Sequence, residues 1–434
     1  MPTLVRATII FFVIGLASYK SGMKICVVSD KIVSSGRGGA ESNVLSLCSA
    51  LQKRGHQIQV TSPGDYAPTP TSCGDAVEIR PFGPILKTGI LHDYSLVWRP
   101  LASRGIAGEI SKQNPDIIQL HIIQHFSSVS LLKALKLRLP KTPIVLTVHD
   151  YDILCKGALR CKLHSADFLH AQSRRLPSLA TCFLCQKHTF NPLKRHAALE
   201  LINRYCDSVV FVSDYLRQFY RQNGLTVPSY VIYSGVEVPP PGPFPREGSE
   251  FFRIICGGRM TPRKGYHQII NILPELIQRI GPHVRIRIYG RKNSYAQELE
   301  RQVHRDGLTN YVEFTGWVEP TALPALLAES TLGIIPSQYP DPLPRTLFEY
   351  GAAGLPVLVT ALGGAREILT GANHNWLFNP HDSSELANKV VEMASDLGRA
   401  DVQAAKLQEL ILNQYTVGQA ATQREILYNS LIQE

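Results

Sequence analysis

The stretch that most constrains the fold of this chain covers residues 331–359, where two apolar runs flank a proline-broken loop and a helical pattern. The first apolar run, residues 332–335, ends at Pro336. After the loop a helical pattern extends toward Gly354, and a second apolar run follows Pro356. Short apolar runs bounded by turn residues predict buried strands. The stretch is therefore predicted to form strand, loop, helix and strand.

Polar side chains concentrate where this predicted helix begins. Pro344 is expected near the first helical position, where its missing N–H costs little and the following N–H groups can face an anion. Asp341 precedes the helix, and Glu349 lies inside it, four residues after Arg345. A phosphate-bearing ligand with sugar hydroxyls suits this arrangement. The alternative is an ordinary loop acid beside a surface ion pair, which contributes about 0.3–0.5 kcal/mol.

The rest of the chain repeats the alternation of apolar runs and helical patterns. Strands are predicted over residues 24–30, 57–61, 116–121, 144–148 and 208–212, and again over 253–257, 284–289 and 312–316. Helices are predicted from residue 40, over 196–205, around 269–277 and over 418–431. This alternation predicts an α/β protein with parallel sheets. Residues 238–249 are rich in proline and are expected to be the hinge between two doubly wound domains.

A glycine-rich turn follows the first predicted strand and suggests a dinucleotide site as one candidate. Gly36 and Gly38 match the first two glycines of that fingerprint, but Glu41 replaces the third. No acid closes the next strand, where a ribose partner would lie. The pattern therefore argues against a nicotinamide cofactor.

Several of these motifs together resemble one known family. Asp341 and Glu349 have seven residues between them and are followed by G-L-P-V at 354–357 and by a Gly-Gly pair before Glu367. This is similar to the donor-site signature of the retaining glycosyltransferases of family 4. The resemblance covers the chain from residue 23 onward and implies a GT-B fold, in which two Rossmann-like domains face each other across a cleft.

The resemblance also places the domain boundaries. The first domain, which would bind the acceptor, is expected over residues 23–237, and the nucleotide-sugar domain over residues 250–415. Residues 238–249 would link them, residues 1–22 would form an N-terminal extension, and residues 151–196 would be a basic, cysteine-containing insertion. Residues 416–434 are expected to form a helix that packs back on the first domain.

Site residues follow from the same resemblance. Glu349 is expected to hold the ribose of the nucleotide sugar, and Asp341 and His149 to face the transferred sugar. Arg259 and Lys264 are expected to neutralise the leaving diphosphate. Other residues expected at the donor are Gly38, Gly39, Leu343, Arg345 and Thr346. The chain departs from the family pattern in having Asp341 where Glu is usual and Pro344 where Gly is common.

The residues alone also allow simpler interpretations. The glycine turn can be a tight strand-to-helix connection without a ligand. His149 can be a core or capping histidine. Arg259 and Lys264 can belong to a solvated basic turn.

The predicted activity is transfer of a sugar from a UDP- or GDP-sugar to a glycan or lipid-linked acceptor, in polysaccharide or glycolipid biosynthesis. His149, Arg259, Lys264 and Asp341 are the expected catalytic residues. No acidic metal cage is evident, so no catalytic metal or other cofactor is expected. The alternatives are a nucleotide-sugar epimerase of similar fold and a catalytically silent protein that binds a sugar nucleotide or a partner.

Positive charge is concentrated in the first half of the chain. Residues 1–240 contain 27 Lys and Arg against 15 Asp and Glu, whereas residues 241–434 contain 18 against 20. Such a field suits an anionic membrane surface or a lipid-phosphate acceptor. Nucleic acid would also fit the charge, but no helix-turn-helix, zinc-finger or RNA-recognition pattern accompanies it, so no nucleic-acid partner is expected.

The expected location is the cytoplasm, peripheral on the inner face of the membrane, because nucleotide sugars are cytosolic. The longest apolar run, residues 7–17, is about half the length of a spanning helix. It is interpreted as part of a start-site extension or a loose surface anchor, with a secretory signal as the alternative. An odd total of nine cysteines fits a reducing compartment.

Four cysteines in the basic insertion form a candidate structural zinc site. Cys182 and Cys185 have the C-x-x-C spacing with which two thiolates share one metal, whereas Cys155 and Cys161 are six apart. The stretch is poor in apolar residues, so zinc would help to order it. Reduced, unliganded cysteines and a labile disulfide are the alternatives.

Overall fold

The computed structural model describes residues 22–29, 39–63, 78–82, 100–121, 129–155, 191–237 and 250–433. Within them the chain forms two parallel sheets with interleaved helices. No helix in the described part of the chain combines the length and apolar character needed to cross a membrane.

The first sheet has seven parallel strands in the order β3-β2-β1-β4-β5-β6-β7. They are β1 (Lys24–Ser29), β2 (Gln57–Pro63), β3 (Glu78–Phe82), β4 (Ile117–His121), β5 (Ile144–Val148), β6 (Ser208–Phe211) and β7 (Ser229–Val231). Five helices follow strands of this sheet: α1 (Gly39–Lys53), α2 (Pro100–Lys112), α3 (Ser130–Arg138), α4 (Asn191–Tyr205) and α5 (Asp214–Gln222). Strands buried on both faces read as continuous apolar runs, as in residues 332–335.

The second sheet has six parallel strands in the order β10-β9-β8-β11-β12-β13. They are β8 (Phe252–Gly257), β9 (Val284–Tyr289), β10 (Val312–Gly316), β11 (Leu332–Ile335), β12 (Val357–Thr360) and β13 (Leu377–Phe378). Its helices are α6 (Tyr266–Ile280), α7 (Ser294–Arg305), α8 (Leu323–Ala328), α9 (Arg345–Ala352), α10 (Ala365–Ile368), α11 (Ser383–Ser395) and α12 (Leu397–Gln414). Both sheets have the reversal of strand order at which α/β proteins bind ligands.

The last helix, α13 (Val417–Gln433), returns to the first sheet. Ala421 and Leu427 on this helix share a core with Val27 on β1. Glu425 pairs with Arg54 at 2.6 Å. The chain enters and leaves the second domain side by side, because Val236 and Thr416 form a β-bridge.

The prediction of two doubly wound parallel sheets is confirmed, and element bounds differ in detail. Helix α4 begins at Asn191 rather than at residue 196, so the end of the predicted insertion is helical. Polar residues at its start hide the apolar periodicity on which the prediction relied. Residues 1–21, most of the insertion (156–190) and the predicted linker (238–249) lie outside the described residues.

Candidate functional site

The loop between β11 and α9 brings two predicted site residues into contact. Asp341 Oδ2 lies 2.6 Å from Lys264 Nζ, although the two residues are 77 apart in sequence. Lys264 ends a short 3-10 turn, Pro262–Lys264, that follows β8. The next residue, Gly265, has a φ of 74°, and a Cβ there would lie 1.9 Å from the Pro336 carbonyl oxygen. Glycine is therefore required for the two loops to approach this closely.

Two more glycines support the Asp341 loop from the other side. The Gly364 N–H donates to the Asp341 carbonyl oxygen at 3.0 Å. A Cβ at Gly363 would lie 2.0 Å from the same carbonyl oxygen, and Gly363 also has a positive φ of 74°. The Gly-Gly pair of the sequence signature thus fixes the backbone that carries the carboxylate.

The Lys264–Asp341 pair is held in a shielded environment. Asp341 is buried, and the hydroxyl of Tyr339 donates to its Oδ2 at 3.2 Å. Burial alone would lower the pKa of Lys264, but the Asp341 carboxylate outweighs burial and raises it. Burial and the same carboxylate raise the pKa of Tyr339 to about 12. Lys264 therefore carries a full positive charge at neutral pH.

Arg259 lies on the same loop but is exposed, and it has no ion-pair partner among the described residues. The neighbouring Arg263 stacks over the Tyr339 ring at 4.9 Å. The exposed guanidinium of Arg259 therefore places positive charge near Lys264, where a ligand can reach it.

Helix α9 points its first turn toward the first domain. Pro344 is the N-cap residue rather than the first helical residue, so the helix begins at Arg345. Arg345 Nε donates to Glu349 Oε1 at 2.8 Å, and one of its terminal nitrogens donates to Asn43 Oδ1 on α1 at 2.9 Å. A Cβ at Gly39 would lie 3.7 Å from the Arg345 side chain.

The remaining predicted donor contacts lie on the same segment. Leu343 packs against the hydrophobic cores of both domains. Thr346 is half-buried in the first turn of α9. Gly38 lies outside the described residues, whereas Gly39 begins α1. The structure therefore brings Gly39, Leu343, Arg345, Thr346 and Glu349 to one boundary between the domains.

His149 lies just past β5, at the carboxyl edge of the first sheet. Its Nε2 is 3.0 Å from Nδ1 of His121, which ends β4. His149 borders a cavity that α13 closes from the other side, and the cavity is also lined by Asn43, Thr147, Ser234, Gly235 and Arg424. Burial, reinforced by the positive charge of Arg424, lowers the pKa of His149 to about 3. His149 is therefore neutral at physiological pH.

The domains are also joined by Glu367, the acid that follows the Gly-Gly pair. Its carboxylate accepts hydrogen bonds from the backbone N–H groups of Asp214 and Tyr215, at 2.8 and 2.7 Å. The Tyr233 hydroxyl donates to it at 2.8 Å. Near the same boundary the Tyr151 hydroxyl donates to the Pro340 carbonyl oxygen at 2.6 Å.

The partners of the predicted residues were not predicted from the sequence. Asn43, His121 and Arg424 were not singled out, although the polar residues in the buried run of β4 were visible in the sequence. The candidate zinc site stays a prediction, because Cys161, Cys182 and Cys185 lie outside the described residues. Cys155 is half-buried.

Family models match both domains of the chain. A family model described as Glycosyl transferases group 1 matches residues 252–396. A second, described as Glycosyltransferase Family 4, matches residues 37–238. An uncharacterised glycosyltransferase of Methanocaldococcus jannaschii is 24% identical over 386 residues, which are 87% of this chain and 90% of that protein.

A second curated relative is the GDP-mannose-dependent alpha-(1-6)-phosphatidylinositol monomannoside mannosyltransferase of Mycobacterium tuberculosis. It is 26% identical over 235 residues, which are 50% of this chain and 60% of that protein.

Solved structures support the same assignment of the fold. The structure of Anabaena HepE in complex with UDP matches with a TM-score of 0.67 at 20% identity, covering 94% of this chain and 100% of that one. The sucrose-phosphate synthase from Thermosynechococcus elongatus matches with a TM-score of 0.72 at 16% identity, over 95% of this chain and 100% of that one. The chain therefore belongs to the group 1 and family 4 glycosyltransferases, with the GT-B fold of two Rossmann-like domains.

Proposed function

We propose that this protein transfers a glycosyl group, with retention of configuration, from a UDP- or GDP-sugar to a hydroxyl of a glycan or lipid-linked acceptor. Its place would be in polysaccharide or glycolipid biosynthesis. The single observation that carries the proposal is the grouping of Lys264, Asp341, Arg345 and Glu349 at the carboxyl edge of the second sheet, facing α1. Both the nucleotide and the transferred sugar can be held there.

The nucleotide would bind along α9. Glu349 uses Oε1 for Arg345, while its Oε2 has no hydrogen-bond partner in the described part of the chain. A carboxylate oxygen that is held in place but unpaired suits the ribose hydroxyls. The backbone N–H groups at the start of α9 would face the diphosphate.

Positive charge for the departing diphosphate would come from Lys264 and Arg259. The Lys264 ammonium has three protons and uses one for Asp341. It can therefore bind a phosphate oxygen while Asp341 fixes its position. Since these cations neutralise the developing charge, we propose a reaction that needs no divalent metal.

The acceptor hydroxyl would approach from the first domain, on the side of the cavity beside His149. The bond between C1 of the sugar and the diphosphate oxygen would break through an oxocarbenium-like state. The acceptor oxygen would bond to C1 on the same face, and the leaving diphosphate oxygen would take the acceptor proton. The pKa of His149, lowered to about 3 by burial, makes this imidazole a weak base, so His149 would not take the acceptor proton and would instead hydrogen-bond the transferred sugar. Asp341 would hold the hydroxyls of the same sugar.

The donor proposal also draws on the relatives. HepE is crystallised with UDP and with UDP-glucose, and the mycobacterial mannosyltransferase is named GDP-mannose-dependent. These names support a UDP- or GDP-linked hexose as the first donors to test.

We further propose a cytoplasmic enzyme that binds an anionic membrane surface reversibly through its first domain. Leu101 on α2 and Leu137 on α3 are 81% and 74% exposed. The helices α2 and α3 pack side by side, and Lys133 and Arg104 lie on the same pair of helices and are also exposed. Exposed leucines among basic residues suit an interface with anionic lipid, at about 1 kcal/mol per well-placed cation.

The test is a thermal-shift screen across UDP- and GDP-sugars, followed by product analysis. A ligand that binds the folded state raises stability as RT ln(1 + [L]/Kd). A new glycoside supports the proposal, whereas an isomerised donor indicates an epimerase and binding without turnover a silent protein. Glu349→Ala should weaken nucleotide binding by about 1.5–3 kcal/mol. The exposed acid Glu409 on α12 offers the control, and Glu409→Ala should bind nucleotide normally.

A further inference from the structure

A row of buried polar side chains lies behind His149. Gln119 and His121 are two residues apart on β4, so their side chains leave the same face of the sheet. Thr147 pairs with His121 on the neighbouring strand. Apolar residues earlier on these strands, Ile117 and Val145, belong to the core beneath α1 and α13. All three polar residues are at most 2% exposed, and burying polar groups destabilises the fold unless they are hydrogen-bonded.

These side chains form a hydrogen-bonded series that ends at the cavity. The Gln119 amide nitrogen contacts Nε2 of His121. His121 Nδ1 lies 3.0 Å from His149 Nε2. The second ring nitrogen of His149, Nδ1, has no hydrogen-bond partner among the residues that the structure describes. His149 is half-buried and borders the cavity.

Both imidazoles in the series are neutral. Burial first, and then His149 and Arg424, lower the pKa of His121 well below its usual value. Arg424 is itself buried and donates to Thr147 Oγ1 at 2.8 Å, so a fixed positive charge lies beside the two rings. A neutral imidazole carries one N–H, so the position of the proton on one ring decides its position on the next.

The orientation of the Gln119 amide determines which of the two possible sets of tautomers His121 and His149 adopt. When the amide nitrogen faces His121, the side-chain carbonyl oxygen of Gln119, Oε1, is buried and has no hydrogen-bond partner in the described part of the chain. With the amide reversed, an NH₂ group would occupy that same unpartnered place. Buried donors without acceptors are rarer than under-satisfied carbonyl oxygens. Gln119 therefore donates to His121, His121 donates from Nδ1 to His149 Nε2, and the proton of His149 is left on Nδ1.

We propose that Gln119 and His121 are positioning residues that hold His149 as the Nδ1–H tautomer, which donates a hydrogen bond to an oxygen of the transferred sugar. This inference rests on the proposed function, in which His149 faces that sugar. A fixed donor selects sugars with an accepting oxygen at the contacted position. A deoxy sugar loses the bond, whereas a hydroxyl or a carboxylate keeps it.

The first experiment measures the tautomer directly, in the ligand-free protein. Long-range ¹H–¹⁵N spectra of histidine-labelled protein distinguish protonated from unprotonated ring nitrogens, and the spectrum of His149→Asn identifies the His149 signals. We expect Nδ1 of His149 to be protonated and Nε2 to be unprotonated in the wild type. A protonated Nε2 would overturn the inference. This readout needs no activity, so a protein without transferase activity refutes the proposed function while the tautomer remains measurable.

Variants test whether the series sets the tautomer. In Gln119→Leu the donor to His121 is lost, so we expect mixed tautomers of His149 and a kcat/KM about fivefold to tenfold lower. His121→Asn retains an N–H donor near the position of Nδ1 and should keep the wild-type tautomer better than His121→Leu. Ser208→Ala removes from the same sheet a buried hydroxyl for which the described residues offer no hydrogen-bond partner, and it should change neither measurement. An unchanged tautomer in both Gln119→Leu and His121→Leu would contradict the positioning role.

Discussion

Glu367 is the acid whose removal should most clearly separate the two domains. It lies on α10 of the second domain and accepts two backbone N–H groups at the start of α5 in the first domain. The start of a helix carries partial positive charge, which favours a carboxylate there. Burial raises the pKa of Glu367, although the N–H donors and the Tyr233 hydroxyl partly offset this effect. Among the described residues, the hydrogen-bond partners of this desolvated carboxylate all belong to the first domain.

The hydrogen bonds set the size of the effect. A bond to a charged acceptor contributes about 1.5–3 kcal/mol, and water recovers part of it when the domains separate. We expect Glu367→Ala to disfavour the closed arrangement by about 2–3 kcal/mol. Glu367→Gln should cost about half as much, because Oε1 and Oε2 bond different N–H groups and an amide keeps only one acceptor oxygen.

Two measurements on the variants test this reasoning. Small-angle scattering should report a larger radius of gyration for Glu367→Ala than for the wild type. Donor affinity should fall if binding requires the closed arrangement, since the population of the competent state scales the apparent Kd. Glu409→Ala is the matched control, because it removes an exposed acid from the second domain. A compact Glu367→Ala protein with wild-type donor affinity would refute the role of Glu367 in holding the two domains together.

Two further predictions concern the buried ionisable residues. Asp341→Asn leaves Lys264 without its counter-ion, and because the Lys264 side chain is 24% exposed we expect a loss of about 2 kcal/mol in unfolding free energy. The double variant with Lys264→Met should recover part of that loss in chemical denaturation, and additive losses would contradict the pairing. The depressed pKa values of His121 and His149 mean that the unfolded chain binds more protons below about pH 6.5. Unfolding free energy should therefore fall as the pH drops from 6.5, less steeply in His121→Asn than in the exposed-site control His304→Asn.

The sequence predicts the fold well because the strands are buried on both faces. Runs such as residues 332–335 and 357–359 are continuously apolar and lie next to turn residues, so their type is clear without tertiary information. Helix α4 was predicted with too late a start, since three of its first five residues, Asn191, Lys194 and Arg195, are polar. Strand β7 was missed because it is three residues long and only half-buried.

The candidate site is predictable only where its residues share one element. Arg345 and Glu349 are four apart on a helix, so their contact follows from helical geometry. The contact of Lys264 with Asp341 joins loops that follow two adjacent strands, β8 and β11. The contact of Arg345 with Asn43 joins two domains across 302 residues of sequence. No spacing rule predicts contacts between residues on different elements, because these contacts depend on how the sheets and domains pack.

The segment after β5 links the two halves of the proposed sugar site. His149 faces the cavity of the first domain, and two residues later Tyr151 holds the Pro340 carbonyl oxygen, next to Asp341. Tyr151 is fully buried and stacks edge-on against Phe219, so this short segment is fixed in the first domain. The two side chains proposed to contact the transferred sugar are thus connected by one hydrogen bond across the domain boundary. Separation of the domains would move Asp341 away from His149, and the sugar would lose one of the two contacts whenever the enzyme opens.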